Sequence, residues 1–300
     1  MSETASRGSE IEAKPFVAPE KPSLWQRLRE GLQVITASPL AMVGLAIVLF
    51  WIAVAIFSLF CNLDPYAQDI TAANAPPSRK HPLGTDDLGR DLLARIVHGS
   101  RLILTLAPLS VLSALIVGST LGLTAGYLGG RVDEIVMRLL DAMMAFPTIL
   151  LYMIIIAAIG SSRINVVLAI TVGGTPGIAR LVRSLTLDIR TRDYVAAAEL
   201  RGEGPLYIMF VEILPNTRGP LIVDAMLRIG YAVFSIGTLG FLGLGVPPPS
   251  PDWGSMVARG RSEMWYSPWA VLWPTLAISS LVVGLNLFGD GLREESLRYQ

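Results

Sequence analysis

Six long apolar runs constrain what this chain can fold into. They lie at about Pro39–Phe60, Leu102–Gly126, Leu140–Gly160, Asn165–Leu181, Gly219–Gly245 and Pro268–Phe288. A helix needs about 20 apolar residues to cross a hydrocarbon layer of ~30 Å, and each run approaches or exceeds that length. Only 16% of the residues are charged and the mean hydropathy is +0.54, whereas soluble domains carry about 25% charged residues. The expectation is an all-α integral membrane protein, a six-span polytopic helical bundle. The fourth run is the weakest, because Gly173, Gly174, Pro176 and Gly177 interrupt it.

Lysine and arginine placement orients the bundle. With the N-terminus inside, fifteen of the 24 Lys and Arg fall in inner segments, eight fall in outer segments, and Arg228 lies within a span. Both termini are therefore expected to be cytoplasmic. The polar segment 1–37, with Lys14, Lys21, Arg27 and Arg29, precedes a first span at 38–60 that is too long for a signal-peptide core and has no A-x-A-like cleavage site after it. An outer loop follows at 61–101, then a five-helix core at 102–289 containing a long inner loop at about 188–216, then a tail at 290–300.

Several chemistries are poorly served by this composition. Cys61 is alone, so neither an intrachain disulfide nor a CxxC metal site can form. The two histidines, His81 and His98, both lie in the outer loop, and no G-x-S-x-G occurs, so a nucleophile–base pair within the membrane is not indicated. A zero net charge gives no case for nucleic acid. Of the three lysines, Lys14, Lys21 and Lys80, none follows a glycine, so there is no phosphate-binding loop of the G-x-x-x-x-G-K-[ST] kind. A secondary transporter would need ionisable groups near mid-bilayer. Asp141, Asp224 and Arg228 instead fall toward the inner ends of their runs, and Asp224 and Arg228 are spaced to pair with each other.

Packing and capping signals are also present. Gly118, Gly122 and Gly126 form GxxxGxxxG in the second run, a face for close approach by another helix, and Gly237, Gly240 and Gly243 give the fifth a similar thin side. In the outer loop, "HPLGTDDLGRDLLARIVHGSR" (81–101) places Leu88, Leu92, Leu93, Ile96 and Val97 on one helical face. This predicts a short amphipathic helix at the outer membrane surface, capped by Thr85 or Asp86, with Asp91 and Arg95 paired. Asp86, Asp87 and Asp91 fit capping and helix-dipole roles better than catalysis or metal binding.

The inner loop is the chain's polar exception: "RTRDYVAAAELRGEGPLYIMFVEILPN" (190–216). Thr191 can cap a short helix running from Asp193 to Leu200, Gly202, Gly204 and Pro205 stop it, and a second helix from Leu206 to Leu214 returns to the membrane before Pro215 and Asn216 break it. Ala196, Ala197 and Ala198 have little area to bury, so the helix is marginal alone and slim enough for another surface to approach closely.

Asp193-Tyr194-x-x-Ala197-Ala198-x-x-x-Gly202, followed by Ile213-Leu214-Pro215-Asn216, resembles the EAA loop of permease subunits of binding-protein-dependent ABC importers. With "HPLGTDDLGRDLLARIVHGSR", "GGRVDEIVMRLLDAMMAFP", "ARLVRS", "LGFLGLGVPPPSPDWGSM" and "NLFGDGLRE" in order, the chain is similar to the C-type permeases of the dipeptide/oligopeptide/nickel family from about Leu32 to Glu294. The resemblance implies a non-catalytic bundle of the type I ABC importer permease kind in the bacterial inner membrane. It implies pairing with a homologous second permease, docking on two ABC ATPase subunits that bind the ATP and Mg, and delivery of substrate by an extracytoplasmic solute-binding protein. No cofactor is implied for this chain itself. Asp193, Tyr194, Ala197, Ala198, Glu199 and Gly202 become the ATPase-coupling residues, and di- or oligopeptides the substrates, with nickel chelates, glutathione or oligosaccharides handled by other relatives. The chain departs from the pattern in three places. Ala196 stands where the motif has its glutamate, Leu200-Arg201 replaces an alanine-leucine pair, and the tail ends "REESLRYQ".

Overall fold

Ser38 and Pro39 start the first described helix. The Ser38 hydroxyl accepts from the Ala41 N–H, and Pro39 occupies a position where no N–H is needed. The computed structural model describes residues 38–298, and side chains to Arg293; the expected N-terminal segment 1–37 lies outside the described residues. Within them the chain folds into helices α1 (Pro39–Phe57), α2 (Leu92–Leu128), α3 (Gly130–Met144), α4 (Thr148–Ile159), α5 (Arg163–Ile189), α6 (Asp193–Leu200), α7 (Pro205–Phe241), α8 (Trp253–Gly260) and α9 (Trp269–Arg298). Five of these are long and apolar enough to cross a membrane, and six spans result if the bent pair α3–α4 counts as one.

The helices run alternately between two ends. One carries the segments 58–91, 160–162 and 242–268, where Arg95 donates to the carbonyls of Pro65 (3.1 Å) and Ser250 (3.4 Å), and Ser161 to that of Leu244 (3.4 Å). The other, the loop end, carries 129 and 190–204. Two apolar clusters fill the interior. The first gathers Trp51, Ile103, Ile236, Trp253 and Leu281; the second, toward the loop end, gathers Leu123, Ile178, Val182, Ile189, Val195, Ile208 and Ile213.

The α2–α5 pair makes the most extensive contact in the fold. Gly118, Gly122 and Gly126 line the seam, facing Ile178, the Ala179 carbonyl with Val182, and Thr186. The expected close-approach face is therefore real. The second trio is only partly so: Gly237 and Gly240 pack against Ile278 and Asp252, but Gly243 lies beyond the end of α7 with φ +76°.

Four expectations need correction. The third run is two helices bent by 92°; Pro147, which disfavours the α region for the residue before it, falls in the break between them. The fourth run is one continuous helix of 27 residues despite its glycines and Pro176. In a buried helix neighbouring groups fill the gaps that in water would favour a break. Pro215 does not break the return helix either: a π-helical turn at Ile208–Ile213 leads straight into Leu214–Phe241. Such a widened turn absorbs the mismatch at a residue that has no N–H.

The outer loop supplies the fourth. The helix begins at Leu92, capped by Asp91 accepting from Ala94 N–H (2.8 Å), and is the start of the 37-residue α2 rather than a separate surface helix. Leu92, Ile96 and Val97 are buried against protein, and the fully buried Trp253 donates to the Ile96 carbonyl (3.2 Å). Asp91 pairs with His81 Nδ1 (2.8 Å) rather than Arg95. Asp86 is buried, accepting from the backbones of Leu88 and Arg90 and from Arg90 Nε (2.7 Å), with Arg95 Nε 3.7 Å away. These carboxylates thus stitch residues 84–95 together.

Candidate functional site

The loop at 190–204 hangs from the end of α5 and is fixed at both shoulders. Arg190 donates to the Gly126 carbonyl at the end of α2 (2.9 Å). Arg201 reaches Glu212 on α7 (3.3 Å) and lies near Glu203 (3.9 Å). Thr191 does not cap α6. Its hydroxyl turns back to the Asp188 carbonyl (2.8 Å), and Arg192 takes the cap position with no side-chain bond. Arg192 also pairs with Asp188 (2.8 Å). Asp193 opens the helix, where a carboxylate suits the exposed N–H groups.

Eight residues give α6 two turns and two unlike faces. Val195 and Ala198 are fully buried, packed in the second apolar cluster with Ile189, Ile208 and Ile213. Asp193, Tyr194, Ala196, Ala197, Glu199 and Leu200 are exposed, Leu200 at 90%. The alanine triplet is therefore divided: Ala197 looks outward with Ala196, whereas Ala198 is a seat on the chain's own bundle. Sequence reasoning placed all three on one docking face. The i,i+3 pair Val195–Ala198 was the available sign of an inner face.

The helix ends in a Schellman motif. Gly202, at φ +80°, donates to the Glu199 carbonyl (2.9 Å), and Glu203 to the Ala198 carbonyl (3.2 Å). A residue with a Cβ would meet no atom within 4 Å at position 202, so the glycine is required by backbone conformation and not by crowding. Glu199 accepts from the hydroxyl of Tyr127 at the end of α2 (3.3 Å), a partner not foreseen from sequence. The Tyr194 phenol is held above its ordinary value, chiefly by burial, with Arg192 pulling the other way and Glu212 and Asp188 adding smaller upward pushes. It is a neutral hydrogen-bond donor at physiological pH. Beyond the turn, Leu206 is 70% exposed, so Leu200 and Leu206 bracket Gly202 with apolar surface of the kind interaction sites use.

All six expected loop residues are thus in one short element, five facing outward or forming its turn and one, Ala198, facing in. The charged residues placed near the inner ends of the spans behave differently. Asp141 and Asp133 of α3 pair with Arg180 and Arg183 of α5. Asp224 and Arg228 pair with each other, as their spacing suggested. Arg228, however, faces Gly177, one residue past the midpoint of α5. The helix that carries it also begins earlier than the apolar run suggested, at Pro205 and not at Gly219.

Comparison with known proteins agrees with this architecture. Residues 118–294 match the family described as the binding-protein-dependent transport system inner membrane component. Residues 23–77 match the N-terminal TM domain of oligopeptide transport permease C. The chain is 40% identical to a dipeptide transport system permease protein of Alkalihalophilus pseudofirmus, over 94% of this chain and 96% of that one. It is 42% identical to a di/tripeptide transport system permease protein of Pseudomonas aeruginosa, over 89% and 90%. Among solved structures, an inward-facing MetNI methionine ABC transporter chain superposes with a TM-score of 0.53 at 20% identity, over 67% of this chain and 96% of that one. That likeness concerns the fold alone. The match to residues 118–294 spans more than half of the sequence and contains the two-faced loop helix: the chain belongs to the family of binding-protein-dependent transport system inner membrane components.

Proposed function

We propose that this chain is one of two transmembrane subunits of an ATP-driven importer of di- or oligopeptides, in which α6 is the element gripped by a separate ATPase. On this reading a homologous permease completes the pathway, two ABC ATPase subunits bind ATP and Mg at the loop end, and an extracytoplasmic solute-binding protein delivers peptide at the other. Both termini are then cytoplasmic. The peptide assignment is supported by the names of the 40%- and 42%-identical relatives.

The observation that carries the reading is the two-faced α6. A helix of eight residues does not persist alone in water. Here Val195 and Ala198 anchor one side to the spans, leaving Asp193, Tyr194, Ala197 and Glu199 as an outward surface with Gly202 fixing its exit. A surface made of small residues and a neutral phenol suits a groove in another protein. Because the anchor joins α5 to α7 through Ile189, Ile208 and Ile213, a push on α6 is delivered to two spans at once.

Replacing Gly202 with valine tests this. A β-branched residue at φ +80° costs on the order of 1–3 kcal/mol, and its Cβ would meet no atom within 4 Å, so the effect comes through the turn's backbone. In the reconstituted importer, ATP hydrolysis should persist while peptide uptake falls at least severalfold, with unchanged membrane insertion. Uptake at the native rate per ATP hydrolysed would refute the coupling role.

A further inference from the structure

At mid-height the bundle holds a cavity of about 420 Å3, within the range that takes small ligands. Three features build it. The α3–α4 elbow supplies one wall through Met143, Met144 and Phe146. The glycine-rich centre of α5 supplies the floor. From α7 come Arg228, Tyr231 and Ser235, opposite Ser110 and Ala114 of α2.

The glycines of α5 have a task here that helix packing does not explain. A Cβ at Gly173 would lie 2.4 Å from the ring of Tyr152, and one at Gly177 3.0 Å from a guanidinium nitrogen of Arg228. They clear space for a phenol and a guanidinium side by side. The Tyr152 hydroxyl lies beside Ser235 and within electrostatic reach of Arg228. Arg228 is the one charged residue among the described lining. Its partner Asp224 is one turn away on the same helix, outside that lining.

An ionised side chain within a spanning helix is costly unless it is paired or serves a ligand or pathway. A pair serving only α7 would not need a facing helix stripped of side chains. The geometry points to a cargo site in which Arg228 takes the carboxylate of a transported peptide, while the methionine and aromatic walls receive its apolar side chains. The assignment rests on the peptide-importer reading above and adds the contact that reading lacked. A guanidinium presents two parallel N–H groups that match a carboxylate. Ser235 and Tyr152 offer further hydroxyls, and Asp224 holds the guanidinium when no cargo is present.

The test uses the complete importer, reconstituted in vesicles with its own solute-binding protein and ATP. The probes are labelled alanyl-phenylalanine and its C-terminal amide, and each variant is scored as a ratio to native so that the binding protein's own preference divides out. With Arg228→Gln, the maximal rate for the free acid should fall roughly tenfold or more, as expected for loss of a charged hydrogen-bonding partner. The rate for the amide should stay within about twofold. Arg228→Lys, which keeps the charge but not the two parallel N–H groups, should keep a free-acid rate between native and Arg228→Gln and still prefer the acid over the amide. Should the glutamine variant fail to assemble, the lysine variant decides alone: retained preference for the acid supports the site, and lost preference overturns it. A glutamine variant that carries the acid at the native rate, or slows acid and amide alike, also overturns it. The second pattern would assign Arg228 to packing or to an acidic residue of the partner permease. Native complex that imports neither probe would instead overturn the peptide reading itself.

Discussion

Replacing Gly122 with alanine adds one methyl group where α2 and α5 meet. The new Cβ would lie 2.5 Å from the Ala179 carbonyl oxygen, 2.8 Å from Val182 Cβ and 3.0 Å from the Arg183 backbone nitrogen. Ordinary contact begins near 3.4 Å, so the seam must open by close to 1 Å. Two of the three obstacles are backbone, so no rotamer change relieves them. Overpacking of this kind costs about 1–3 kcal/mol, and exchanging glycine for alanine in a helix returns about 1 kcal/mol. The net is a destabilisation of up to about 2 kcal/mol. Gly219 provides the opposite case on α7: it is exposed, with nothing within 4 Å of its would-be Cβ, so Gly219→Ala should be neutral or stabilising by up to about 1 kcal/mol. Thermal unfolding of the purified permease in detergent should therefore place Gly122→Ala below native by a few degrees and Gly219→Ala at or above it. Equal or raised stability in Gly122→Ala would show that α2 and α5 do not pack through this stripe.

Asp252 caps α8 while fully buried, and burial lifts its carboxyl from 3.8 to about 6. The folded protein then holds a proton that the unfolded chain releases, so this group's contribution is greatest below pH 4, declines as pH rises toward 6 and is flat above. The full span is about 3 kcal/mol. Asp252→Asn, which can still cap, should remove that slope between pH 4 and 6 in thermal melts; an unchanged slope would assign it elsewhere. On α6, Ala198→Leu should destabilise the permease itself by about 1–3 kcal/mol, because the site is closed. Ala197→Leu should leave its melting unchanged and lower ATP-driven uptake, and the reverse pattern would mean that the outer and inner faces have been exchanged.

The crossing helices were legible because lipid imposes a length on each of them, and that length is written in the apolar runs; the count is five, or six if the bent pair α3–α4 is one span. What glycine and proline do inside those runs was not. Gly173, Gly174, Pro176 and Gly177 look like a break, yet α5 runs through them as one continuous helix. The run Leu140–Gly160 carries Pro147 and reads as one span, yet the chain turns by 92° between Met144 and Thr148. The outcome depends on what fills the space beside each residue, and local sequence does not carry that. Similarly, the periodicity after Leu88 identified an apolar face but not its environment, and that face meets Trp253 and not lipid. At the candidate site the exposed loop, its helix and its glycine stop were readable. The inward turn of Ala198 was not, because which side of a two-turn helix touches the bundle is decided by Ile189, Ile208 and Ile213.

Helix α5 joins these features physically. One of its faces is clamped by the glycine stripe of α2 through Ile178, Val182 and Thr186, where small residues bring the backbones close and leave little freedom to slide. Its other face is bare at Gly173 and Gly177, where Tyr152 and Arg228 enter. Its last residue, Ile189, packs in the same cluster as Val195 and Ala198 of α6. From Ile189 to Gly177 is twelve residues, or roughly 18 Å of helix. On the proposed coupling role, a displacement of α6 would carry Ile189 of α5 and Ile208 and Ile213 of α7 together, so the elements bearing Gly177 and Arg228 would both move with it. The glycines at its two faces therefore do different things: those of α2 bring the two backbones close, and Gly173 and Gly177 of α5 leave room for Tyr152 and Arg228.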